Sequence, residues 1–229
     1  MLVGLMGAKG AGKDTAALFL VREHGFVRLA FGDELYRESA DAFGVTVDFL
    51  GLRDTKEMPL PELALSRCKN SQFVAYALRH VPMGKEQEAL DAPRSPRQTL
   101  QDWGTWRRES SPTYWVQRVA SVIDRAPHGT RFVITDVRQP NEAELVERYN
   151  GRMLRIRRNS VDQALAEAQK AGVATALHVT ETALSGYPAE DVMNEDGDPD
   201  RMNVVLDEVV HQLARAEALA LAHAAGLAA

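Results

Sequence analysis

The run Gly7-Ala8-Lys9-Gly10-Ala11-Gly12-Lys13 constrains this chain more than any other feature. It follows an apolar stretch, residues 1–6, that reads as a buried strand. It precedes a segment, Asp14 to His24, in which Leu18, Phe19 and Val21 give a helix an apolar side. Gly25 stands where a helix C′ stop belongs. A second strand is expected over Phe26 to Phe31, so the chain opens as strand, loop, helix, strand, the start of an α/β domain with a parallel sheet. The spacing Gly7-x-x-x-x-Gly12-Lys13 is that of a Walker A loop. Glycines let backbone N–H groups curl around phosphate oxygens without Cβ clashes, the following helix points its N-terminus at the anion, and Lys13 adds a point charge at the β- and γ-phosphates. The expected nucleotide contacts are Gly7, Lys9, Gly10, Ala11, Gly12, Lys13, Asp14 and Thr15.

The position after Lys13 departs from the usual loop. Asp14 replaces the customary Ser or Thr, and Thr15 follows it. A carboxylate is a hard oxygen ligand suited to Mg²⁺, and it also suits the first turn of a helix, so a metal contact and a plain cap both remain open.

The rest of the chain fits one domain of 229 residues with a long insertion. Residues 33–43 read as a helix, and from about 44 to 128 the pattern is helical with proline breaks and no strong strand. Arg131 to Asp136 reads as a buried strand, Asn141 to Tyr149 as a helix, Arg152 to Arg158 as a strand, and Asp191 to Asn194 as a last short strand. Ser160-Val-Asp-Gln163 has capping-box spacing and opens a helix expected to end near Gly172. Asp198-Pro199 supplies a cap and a first-turn proline for a final helix, and the Ala/Leu-rich tail over 214–229 offers a candidate surface for a homodimer.

The net charge of −5 argues against coating nucleic acid, and no apolar run approaches the ~20 residues of a membrane helix. The N-terminus has no basic leader, and the single Cys68 forms no internal disulfide, which suits a cytoplasmic setting.

Several strings recur in a recognisable order: Gly12-Lys13-Asp14-Thr15; Phe31-Gly-Asp33-x-Leu35; Pro96-Arg97-Gln-x-Leu100-Gln101-x-x-Gly104-Thr105-x-x-Arg108; Tyr114-Trp115-Val116; Asp136-Val-Arg138-x-Pro-Asn141-Glu142; Arg157; His178-x-x-Glu181; and Asn194. Together, over about residues 1–210, they resemble the deoxynucleoside monophosphate kinases of bacteriophages, within the nucleoside monophosphate kinase superfamily. The resemblance implies a three-layer P-loop kinase fold with a five-stranded parallel sheet, a helical acceptor-binding insertion over about 33–128, and a small lid over about 157–185. It implies ATP and Mg²⁺, with small nucleotides as partners and the host cytoplasm as the setting of a phage-encoded enzyme. Two positions depart from it. Tyr36 stands where a Lys is expected, with Arg37 beside it, and Gln139 occupies a place that is often aromatic.

A monophosphate acceptor is already anionic near neutral pH, with a second pKa of ~6, so it needs charge neutralisation and alignment more than a base. Arginine forks grip phosphate well, and residues 94–118 carry Arg94, Arg97, Arg107, Arg108 and Arg118 against Asp102 and Glu109. Arg138 and Arg97 are expected on the acceptor phosphate, with Arg37, Arg108, Gln101 and Trp103 as further acceptor contacts and Arg157 on the donor or the transferring group. Asp136, in the Walker B position, would hold Mg²⁺ or fix Lys13 or Arg138; it could equally be a buried carboxylate satisfied by backbone. Asp33 would orient an acceptor hydroxyl, bind the sugar or base, or cap a helix. Asn194 is expected in the loop that cups adenine, and His178 with Glu181 in lid structure. Transfer to a hydroxyl, such as a hydroxymethylated base in DNA, and a non-catalytic nucleotide switch remain as alternatives.

Overall fold

The computed structural model describes residues 1–170, 183–184, 186–196 and 198–224. Its centre is β1 (Leu2–Met6), a strand with every residue buried. It is flanked by β3 (Phe132–Ile134) and β4 (Arg152–Arg157), with β2 (Val27–Leu29) and β5 (Glu190–Met193) outermost, in the order β2-β3-β1-β4-β5. All four pairings are parallel. Buried strands of this kind read as continuous apolar runs, which is why Leu-Val-Gly-Leu-Met and Phe-Val-Ile are legible in the sequence.

Period-two alternation assigns the two faces of the sheet. Val3 and Leu5 turn toward α1 (Lys13–His24) and α10 (Asp200–Ala224), joining Ala16, Leu20, Met202, Leu206 and Val209 in one apolar cluster. Gly4 turns the other way, toward α8 (Pro140–Arg148). A Cβ there would lie 2.8 Å from Val146 Cγ2 and 2.6 Å from Met153 Sδ, so the glycine lets α8 pack hard against the sheet. Helices therefore cover both faces, the three-layer α/β architecture expected from the sequence and consistent with a P-loop kinase fold. Gly25 ends α1 at φ 66°, as expected, with its N–H on the Leu20 carbonyl.

Three local expectations need correction. β2 stops at Leu29, and Phe31 already begins α2 (Phe31–Phe43); β2 is an outer strand with Val27 and Arg28 exposed, so only its pairing with β3 holds it extended. Ser160 does not cap a helix. It lies inside α9 (Asn159–Lys170), and its N–H and hydroxyl donate to Asp196 at 3.2 and 2.7 Å, an ionised acceptor that outcompetes a backbone amide. The true capping box is at α8, where Gln139 and Glu142 cap each other's backbone. The expected helix end near Gly172 lies outside the described residues.

The chain divides into two compact units, Met1–Ala30 with Val119–Ala229, and Phe31–Arg118. The second is helical throughout its regular structure: α2, α3 (Val47–Gly51), α4 (Ser71–Leu78), α5 (Glu86–Asp91), α6 (Pro96–Ser110) and the start of α7 (Tyr114–Arg125). Its core is aromatic. Phe73 is enclosed by Trp103 and Trp106, with ring centroids 4.6 and 5.5 Å away. No helix among the described residues is long and apolar enough to cross a membrane.

A candidate phosphate-binding site

The glycine loop joins the end of β1 to α1 at the C-terminal edge of the sheet. In open α/β sheets ligands gather at that edge, where the chain leaves neighbouring strands toward opposite faces. β1 runs into α1 on one face, and its neighbour β3 runs into α8 on the other. Gly7, Gly10 and Gly12 have φ of 134°, 86° and 106°, a region L side chains rarely enter. A Cβ on Gly7 would collide with the Ile156 carbonyl oxygen of β4, and one on Gly12 with the Asn194 amide. Two glycines are thus required by both backbone conformation and close approach. Lys13 folds back over the loop and donates to the carbonyls of Gly7 and Ala8 at 2.7 and 2.8 Å.

Neighbouring strands brace this loop. Asn194, buried after β5, donates through Nδ2 to the Ala11 carbonyl at 2.9 Å. Its side chain therefore fixes the loop backbone; the expected place in an adenine cup is corrected to a loop brace. Gly197, also expected in that cup, lies outside the described residues. At the end of β4, Arg158 donates to the Gly10 carbonyl at 3.4 Å and pairs with Asp196 at 2.9 Å. The hydroxyl of Ser160 chiefly, then its N–H and the Arg158 charge, hold the Asp196 carboxyl below its ordinary range. Arg157 is engaged elsewhere. It pairs with Asp162 at 2.9 Å and Asp191 at 3.2 Å, and those carboxylates raise its pKa further. The arginine of this pair that touches the loop is Arg158. Adjacent strand residues point to opposite sides, so a one-residue choice decides which arginine meets the loop.

The metal candidates lie on the same unit. The Val137 N–H donates to the Leu5 carbonyl at 3.2 Å, so Asp136 stands beside the end of β1 where the loop begins. Asp14 is exposed in the first turn of α1 and Thr15 is exposed next to it; Lys9 is exposed on the loop. Glu142, buried, accepts the backbone N–H groups of Arg138 and Gln139 at 2.8 and 3.0 Å, which fixes the chain as it leaves the sheet. The Arg138 side chain is exposed and has no carboxylate partner among the described residues.

The helical unit has its own polar centre, which sequence reading missed. Glu38 of α2 accepts from Trp103 Nε1 at 3.1 Å, Arg107 Nε at 2.9 Å and the Tyr114 hydroxyl, with Arg118 at 3.5 Å. Arg107 lies over the rings of Trp106 and Tyr114, 4.3 and 4.7 Å from their centroids. Trp103 is 1% exposed, so its expected role in stacking on a base is corrected: protein encloses the ring. Arg37 pairs with Glu34 and Arg97 with Glu57. Gln101 is exposed on α6, and Asp33 occupies the first turn of α2. Arg108 is exposed, and its guanidinium folds back over Gly104, where a Cβ would stand 3.3 Å from Nη1. His178 and Glu181 lie outside the described residues.

Glu38 carries a testable consequence. Its side chain is 12% exposed and removal strands several inward-facing donors. Glu38→Ala is expected to destabilise the protein by about 3 kcal/mol, read as a lower midpoint in urea, while Glu34→Ala, facing more exposed partners, costs under ~1 kcal/mol. Equal losses would contradict the assignment of Glu38 as the organising carboxylate.

No family model matches the chain. Over 163 residues it is 26% identical to a protein of Acanthamoeba polyphaga mimivirus named "Putative deoxynucleotide monophosphate kinase", the match spanning 70% of this chain and 76% of that protein. Among solved structures it is similar to the crystal structure of TT1252 from Thermus thermophilus, with 15% identity, a TM-score of 0.46, and coverage of 93% of this chain and 97% of that one.

Proposed function

We propose that this chain is a nucleotide kinase that transfers the γ-phosphate of ATP to a deoxynucleoside monophosphate. The observation that carries the proposal is the loop: three glycines in left-handed backbone, and Lys13 Nζ held on the loop carbonyls at 2.7 and 2.8 Å. That backbone conformation forms an anion-binding concavity, and the amine is stored at its rim. The named function of the mimivirus relative supports the choice of acceptor.

In this reading an oxygen of the acceptor phosphate forms the new bond to the γ-phosphorus as the bond to the β-bridging oxygen breaks and ADP leaves. The acceptor dianion brings no proton, so no general base is needed. Lys13 trades its loop carbonyls for phosphate oxygens. Arg158, held at the loop by Asp196, neutralises donor charge, and Arg138 grips the acceptor phosphate. Asp14 and Asp136 are hard oxygen donors that fit Mg²⁺, an ion held by one or two carboxylates together with substrate phosphates. Bound there, Mg²⁺ would supply neutralisation of phosphate charge.

The test is ADP release from ATP in the presence of Mg²⁺ and each of the four deoxynucleoside monophosphates, with duplex DNA as a parallel acceptor. Turnover is expected on at least one monophosphate and none on DNA. Turnover on DNA alone would replace the proposal with a hydroxyl kinase.

A further inference from the structure

We infer that Lys56, resting on the hydroxyl of Tyr36, binds the phosphate of the acceptor nucleotide; this rests on the function proposed above. The starting point is how cations are partnered in the unit Phe31–Arg118. Arg37, Arg79, Lys85, Arg94, Arg97, Arg107 and Arg118 each pair with a carboxylate. The lysines and arginines of this unit that lack a carboxylate partner among the described residues are exposed, with the exception of Lys56. Lys56 is half-buried. Its ammonium donates to the Tyr36 hydroxyl at 2.8 Å and lies 5.5 Å from the ring centroid.

A half-buried ammonium held only by a neutral phenol has lost hydration without gaining a counter-charge. An anionic ligand supplies that charge. The hydrogen-bond inventory fits a phosphate monoester. One ammonium proton is used on Tyr36, leaving two to donate, and the phenol, accepting from Lys56, keeps its own proton for the same ligand. The placement is fixed from both sides. Tyr36 sits three residues after Asp33, on the same face of α2. The Lys56 carbonyl accepts the Arg97 N–H at 3.0 Å, tying the segment to the first turn of α6. Arg97 itself pairs with Glu57, so the unpaired cation at this junction is the lysine.

Calorimetric titration of the wild type, Lys56→Met, Lys56→Arg and Tyr36→Phe tests the inference. The ligands are ATP, the four deoxynucleoside monophosphates, and the matching deoxynucleosides, at pH 7.5 and at pH 5. Lys56→Met is expected to weaken the accepted monophosphate about tenfold or more at pH 7.5, where the phosphate is a dianion, and less at pH 5, below its second pKa of ~6. Its affinities for ATP and for the deoxynucleoside stay at the wild-type level, which also shows that the fold is kept. Lys56→Arg recovers most of the loss, and Tyr36→Phe shows a smaller loss of the same pattern. Wild-type monophosphate affinity in Lys56→Met, or equal weakening toward monophosphate and nucleoside, overturns the assignment while leaving the proposed function standing. A wild type that binds no monophosphate overturns the function itself, and Lys56 with it.

Discussion

Replacing Lys13 by alanine is expected to lower phosphoryl transfer about 10²–10³-fold, the usual cost of removing one preorganised charge from a site of developing anion. The amine has two positions to serve. In the free protein it bonds the Gly7 and Ala8 carbonyls at 2.7 and 2.8 Å, and in the proposed complex it meets the β- and γ-phosphates. Because it caps the loop as well as the ligand, the variant should also bind ATP more weakly, raising KM alongside the fall in kcat. Urea unfolding should change little, because the carbonyls it leaves lie at the loop surface, where water replaces them. Transfer at the wild-type rate would remove the basis for reading this loop as a catalytic phosphate site. Loss of activity with a large loss of stability would assign Lys13 to the fold.

Gly7→Ala carries the largest expected effect on stability. The added methyl meets the Ile156 carbonyl oxygen, a backbone atom of β4 that cannot swing aside, and the residue must hold φ at 134°. A strained backbone position of this kind costs about 1–3 kcal/mol, and the clash adds to it, so a loss of about 3 kcal/mol or more is expected with ATP binding abolished. Gly25→Ala is the control. Its φ is 66° and a Cβ there meets nothing within 4 Å, so only the conformational cost of about 1–2 kcal/mol applies, with ATP binding retained. If the two substitutions cost the same, the close approach of loop and β4 carries no weight. Gly12→Ala should resemble Gly7→Ala in lost ATP binding but cost less stability, since the atom it meets belongs to the Asn194 side chain.

These predictions start from a feature that was plain in the sequence, and the reason is local. The loop is fixed by contiguous residues whose chemistry depends on backbone freedom and spacing, and β1 and β3 are short, fully buried runs. The Gly25 stop was legible for the same reason. What was not legible depends on pairings across long stretches of chain. Asn194 braces the Ala11 carbonyl, and nothing in either segment names the other. The Arg157 and Arg158 pair could not be resolved without knowing which side of β4 meets the loop and where Asp191 lies. The Ser160 capping box has the right spacing, yet Asp196 takes the hydroxyl. Trp103 was assigned to a base when its indole in fact completes the Phe73 core, because aromatic spacing on a helix does not say which face is solvent. Glu38 gave no signal at all, being one acidic residue in an otherwise ordinary amphipathic helix. Tyr36 was legible as a departure, a phenol where a lysine was expected, and the structure brings Lys56 to its hydroxyl from a segment with no motif of its own.

The central claim is that the loop holds ATP and that its γ-phosphate passes to a deoxynucleoside monophosphate. Incubating the protein with ATP labelled in the γ-phosphate, Mg²⁺ and the deoxynucleoside monophosphates, then separating the products, follows that phosphate directly. The label should appear in the β-position of a deoxynucleoside diphosphate with the wild type, and fall to near background with Lys13→Ala. Label recovered only as inorganic phosphate, only in added DNA, or still wholly in ATP would contradict the account.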